Sequence, residues 1–92
     1  MKSSDLKKEI KRLIISGKGK TEQEAIANCF SSFRKEVEKD INGVIIKLDP
    51  IEVYILDKEK KIEIKKFFEF FWAKEITSYV VKIEIEFEVK YI

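Results

Sequence analysis

From Tyr79 to Tyr91 the chain alternates strictly: Tyr79, Val81, Ile83, Ile85, Phe87, Val89 and Tyr91 point one way, and Lys82, Glu84, Glu86, Glu88 and Lys90 the other. A period of two specifies a β-strand with one buried face, and it fixes the register, because a slip of one residue would turn the whole apolar set to water. The seventeen residues from Ile76 to Ile92 span roughly 55 Å when extended. Whatever else this chain does, it must supply that strand with neighbours to pair with and a layer to cover it.

The cover comes from residues 21–43. Thr21 followed by Glu24 forms a capping box, and Glu22 and Glu24 put negative charge beside the unpaired N–H groups of a helix's first turn. Ile26, Cys29, Phe30, Phe33, Val37 and Ile41 then recur at steps of three or four, while Asn28, Arg34, Lys35, Glu38 and Lys39 fill the other face. Asn42 and Gly43 are expected to close the helix with a left-handed C-terminal cap. Such a helix covers only about 31 Å. One helix is therefore too short for the last strand, whose apolar face is expected to bend round the core, meet another part of the chain, or be buried against a second subunit.

The other elements are less sharply marked. Residues 1–6 are expected to be disordered, and Lys7–Ser16 reads as a strand, although Leu6, Ile10, Leu13 and Ile14 also fit a helical spacing. Val44–Leu48 is a strand that Asp49-Pro50 interrupts and Ile51–Ile55 resumes, so Pro50 belongs at a bulge, a bend or an edge. Asp57–Lys61 reads as a polar turn and Ile62–Lys66 as a short returning strand. The fold class is α+β: one domain over residues 1–92, with a single amphipathic helix on an antiparallel sheet, in β-α-β-β order, and a hairpin or aromatic arm at about 51–75.

Charge and composition exclude several function classes. The chain has no histidine, which removes imidazole metal sites and histidine-activated nucleophiles. Its one cysteine, Cys29, lies on the apolar stripe and reads as a buried small hydrophobe. No apolar run approaches the ~20 residues that span a bilayer, and Met1–Asp5 is too polar to open a secretory signal, so a cytoplasmic protein is expected. Residues 1–20 carry a net +5 and the rest −3, but no nucleic-acid motif accompanies the basic arm, and nucleic acid is not an expected partner.

Two stretches are candidate contact sites. Gly17-Lys18-Gly19-Lys20-Thr21 contains Gly-Lys-Thr before a helix, but the phosphate-binding loop needs a further glycine where Ile14 stands. What remains is a candidate anion contact at Lys18, Gly19, Lys20 and Thr21 on the helix N-terminus. Phe67, Phe68, Phe70, Phe71 and Trp72 place five of the chain's eleven aromatic residues in six positions, a candidate contact for a partner or ligand, in helix or strand form. Glu84, Glu86 and Glu88 share one strand face about 7 Å apart and read as a solvated surface flanked by lysines rather than a metal or acid–base group. No catalytic residue, metal site or cofactor is expected.

Nearly the whole chain, from Gly17-Lys18-Gly19-Lys20-Thr21-Glu22-Gln23-Glu24-Ala25 through Phe33–Val37 and Asp49-Pro50 to Val89–Ile92, resembles a family of small uncharacterised bacterial cytoplasmic proteins. That resemblance implies no catalytic residues. In that family the genes often stand beside those for membrane proteins, which implies a protein partner and names membrane proteins as a class for it. More remotely, a strand ending in glycine, then Thr21–Ile26 opening a helix, then two strands, is similar to the dodecins, flavin-binding shells of β-α-β-β fold. This chain is longer, adds residues 57–75, and carries its only tryptophan there. The leading expectation is a non-enzymatic homo-oligomeric module, an accessory or regulatory subunit of a larger assembly. The alternative is a dodecin-like carrier of flavin or another planar ligand, stacked by the arm's aromatics with Tyr54 or Tyr79.

Overall fold

A computed structural model describes residues 4–67 and 72–92, and the side chains of all of these except 65–67 and 72–74. It contains β1 (Lys7–Gly19), α1 (Glu22–Asp40), β2 (Ile45–Phe67) and β3 (Trp72–Tyr91). The three strands form one antiparallel sheet in the order β1-β3-β2, so the alternating strand is central. The architecture is α+β, with one helix on an antiparallel sheet in β-α-β-β order.

The helix begins as its capping signal specifies. Thr21 is the N-cap, with extended backbone, and its Oγ1 accepts a hydrogen bond from the Glu24 N–H at 3.1 Å. Ala25, Cys29, Phe33 and Val37 follow one another at steps of four on the buried face, with Ile26 and Phe30 flanking them, partly buried. They meet Ile15 of β1 and Val81, Ile83, Ile85, Phe87 and Val89 of β3, and together with Ile41 these residues are the core. Phe33 stands edge-on to Phe87 with ring centroids 4.9 Å apart. Val81 to Val89 covers about 27 Å of strand, and the nineteen residues of α1 cover about 28 Å. The helix therefore shelters β3 from Val81 to Val89, while Tyr79 and Tyr91 at the ends of the alternating stretch are half-buried and the strand runs on beyond the helix to Trp72.

Gly17 and Gly19 let the helix lie this close to β1. A Cβ on Gly17 would sit 2.7 Å from both the backbone N and the Sγ of Cys29, and one on Gly19 would sit 2.5 Å from the Ala25 N. Cys29 uses the proximity: its thiol donates toward the Val81 carbonyl at 3.4 Å, and burial pushes its pKa above the ordinary 9.0. Gly43 has a different role from the expected one. The helix ends at Asp40 with Ile41 as an extended C-cap, whose N–H reaches the Val37 carbonyl. Gly43 lies against the other end of the chain, where a Cβ would meet the Ile92 oxygen at 2.5 Å. Val44 and Ile92 there exchange two backbone hydrogen bonds of 2.8 and 2.9 Å.

β2 departs most from expectation. Asp57–Lys61 is not a turn: it continues the strand and pairs with Lys82 to Ser78. Its five consecutive charged residues remove the apolar alternation by which strands are recognised, but both faces there meet water, so no alternation is needed. Pro50 lies on this edge strand beside a bulge, as its missing N–H requires. Residues 62–67 and 72–73 are strand rather than helix.

Candidate functional site

α1 rests on β1 and β3, which leaves the helix-side face of β2 largely bare. In antiparallel pairs, residues directly opposite one another share a face. Pro50 opposite Phe87, Val53 opposite Ile85 and Ile55 opposite Ile83 therefore continue the core's own face outward onto β2. Pro50 and Val53 are exposed and Ile55 is 50% exposed, whereas Ile83 beside it is completely buried. Further along the same face stand Ile62 and Ile64, 54% and 68% exposed. Between this strip and the helix runs a shallow groove of about 160 Å³ lined by Phe30, Phe33, Arg34, Leu48 and Pro50.

The opposite face is polar and internally paired. Arg12 reaches Glu84 at 3.5 Å and Glu86 at 3.1 Å, and Lys8 reaches Glu88 at 3.5 Å. The acidic row is thus matched by cations of the neighbouring strand. Exposed pairs of this kind contribute ~1 kcal/mol or less each. Tyr54 lies on this face, opposite Glu84, whereas Tyr79 lies opposite Gly19 on the helix side. The two tyrosines stand on opposite sides of the sheet and do not converge on one ligand.

The residues singled out as an anion contact form the strand-to-helix junction. Gly19 ends β1, tucked under the helix start, and Lys18 and Lys20 are exposed. The polar groups of the junction are used locally: Thr21 caps Glu24, the Thr21 carbonyl accepts from the Ala25 N–H at 3.0 Å, and Asn28 Nδ2 donates to the Lys18 carbonyl at 2.6 Å. Lys58 of β2 adds a 3.6 Å ion pair to Glu22. Of the aromatic run, Phe68, Phe70 and Phe71 lie outside the described residues, and Phe67 pairs with Trp72 as the last described rung of the β2–β3 hairpin.

Sequence reasoning pointed to the arm's aromatics and missed that Val53 and Ile55, and beyond Lys58 and Lys60 also Ile62 and Ile64, share one face. The signal for it was present in β2's apolar residues. However, three bulges change which residues share a face, and only the pairing with β3 reveals them.

Among the described residues no helix is long and apolar enough to cross a membrane. No curated protein and no solved structure matches the chain. One family model does, over residues 9–92, and the chain belongs to that family, the domain of unknown function DUF4312.

Proposed function

We propose that this DUF4312 protein is a non-enzymatic oligomeric module, an accessory or regulatory subunit of a larger assembly, working in the cytoplasm. The observation that carries the reading is the bare helix-side face of β2. Pro50, Val53 and Ile55 lie on the same sheet face as a dry core, beside Ile85 and Ile83, yet face solvent in the single chain. A continuous apolar strip that extends a core outward is the usual mark of a surface buried on association. The elongated shape supports the same reading: the chain measures 77 × 24 × 15 Å, with a radius of gyration of 19.0 Å, against about 12 Å for a compact chain of this length.

The surface chemistry suits association better than catalysis. Charged side chains of the polar face neutralise one another, and of the two grooves beside Arg34 one, at about 160 Å³, is below the ~300 Å³ at which ligand pockets usually begin, while the other, at about 340 Å³, is lined by Glu38 and residues 45–48 of the strand edge. A planar-ligand carrier is the second reading, and the groove lined by Phe30, Arg34 and Pro50 is the place it would use. Native mass spectrometry separates the two. A closed oligomer of bare chains supports the module, an oligomer with added small-molecule mass supports the carrier, and a bare monomer at micromolar concentration contradicts both.

A further inference from the structure

The outer edge of β2 changes character at Asp57. Between Ile45 and Asp57 its pairing with β3 slips three times, leaving Ile46, Ile51 and Leu56 outside the ladder. Bulges and proline are the devices that turn an edge away from further pairing. From Asp57 to Phe67 the register runs unbroken against Lys82 to Trp72. That is a regular edge of eleven residues, with no proline, and residues 57–64 are exposed.

This regular edge belongs mostly to a two-stranded ribbon. β1 ends with Gly19 opposite Tyr79, so from Ser78 to Trp72 β3 has β2 as its only described neighbour. A ribbon of two strands is marginal in water and ordinarily needs a third strand or a covering layer. The half of β2 that bulges interrupt lies beside the packed body, and the uninterrupted half, guarded by its charged side chains alone, is the part that lacks support.

We propose that residues 57–67 pair with the same residues of a second copy, antiparallel across a two-fold axis, to make a four-stranded arm. The proposal rests on the oligomeric reading above and names its partner and surface. Laying the eleven residues on themselves puts the axis at Ile62, the middle of the segment. Ile62 then faces the partner's Ile62, and Lys61 faces the partner's Glu63 while Glu63 faces the partner's Lys61. Lys60 lies across from the partner's Ile64, its stem against the apolar side chain. Moving the axis by one residue either way sets Lys61 on its own copy or Glu63 on its own copy, and like charges directly opposite are unfavourable. Further out, Glu59 lies across from the partner's Lys65, while Lys58 lies across from the partner's Lys66, so this register is complementary over residues 59–65 and opposed at its ends. The bulge at Leu56 bounds the pairing on one side, and Phe67 is the last described rung on the other.

Because each pair occurs twice about the axis, charge reversal has a diagnostic pattern. Lys61→Glu alone and Glu63→Lys alone each set like charges opposite one another twice, and each is expected to raise the dimer dissociation constant about tenfold or more. The double variant Lys61→Glu/Glu63→Lys is expected to return to within about threefold of wild type. An equimolar mixture of the two single variants is expected to associate as heterodimers with near-wild-type affinity. Analytical ultracentrifugation over a dilution series reads all four, and circular dichroism checks that each variant is folded. Oligomers whose affinity ignores both single reversals would overturn the edge pairing and leave the oligomeric module standing. Single variants weakened without rescue by the double change or by mixing would also overturn it. A wild-type chain that stays monomeric throughout would overturn both.

Discussion

The body and the arm of this molecule are built from the same two strands and obey different rules. In the body, β3 from Tyr79 to Tyr91 is flanked by β1 and β2 and covered by α1, and Val81, Ile83, Ile85 and Val89 are completely buried. In the arm, the same strand continues to Trp72 with β2 as its only described neighbour, and Ile62 and Ile64 across the ribbon are more than half exposed. The difference teaches that alternation is a property of burial on one face and not of strand structure itself. Where the helix covers the sheet, the sequence alternates; where both faces of β2 meet water, at Asp57–Lys61, charges run consecutively and the strand persists by pairing alone.

The largest effect should come from truncating matched isoleucines in the two regions. Ile83→Ala leaves a cavity beneath α1 and is expected to cost about 2–5 kcal/mol of stability, measured by urea denaturation. Ile64→Ala is expected to change the stability of the isolated chain by less than ~0.5 kcal/mol, and equal losses at both positions would break the contrast. Gly17→Ala comes next, because its Cβ would collide with the backbone and thiol of Cys29. A loss of about 1–3 kcal/mol is expected in the same assay. Thr21→Ala removes the N-cap acceptor and is expected to cost about 1 kcal/mol, with thermal melting as the readout.

A smaller effect near neutral pH grows in alkali. The Lys11 pKa is raised, chiefly by its hydrogen bond to Asp40, that of Cys29 by burial, and that of Tyr91 by desolvation and then by Glu9. A raised value means that the folded chain binds more protons than the unfolded one. Stability is then fully present below the ordinary values of 9.0 for Cys29, 10.0 for Tyr91 and 10.5 for Lys11, and is lost as pH rises through the raised ones. All three groups sit in the body. Urea midpoints should therefore fall above pH 9, and Cys29→Ala should flatten the first part of that decline. A midpoint independent of pH through that range would remove the linkage.

Much of the body was legible in the sequence because its signals are local. Thr21 and Glu24 mark the helix start within four residues, and the apolar stripe repeats at every turn. Ala25 escaped the stripe because it is small, which is what the approach of Gly17 and Gly19 requires. Gly43 was misread because its constraint comes from Ile92, at the far end of the chain. The charged run from Asp57 to Lys61 looked like a turn, since nothing within those five residues shows that Ser78–Lys82 pairs with them. The candidate surface on β2 was hidden for a similar reason: Val53 and Ile55 share a face with Ile62 and Ile64 only because the strand bulges at Leu56.

Amide hydrogen exchange resolved by residue tests the central claim most directly. If the arm's edge is an interface between copies, the amides of residues 57–67 that face away from β3 should exchange slowly in concentrated protein and quickly after dilution, while Val81–Val89 stay protected throughout. Fast exchange of those outward amides at every concentration would contradict the account.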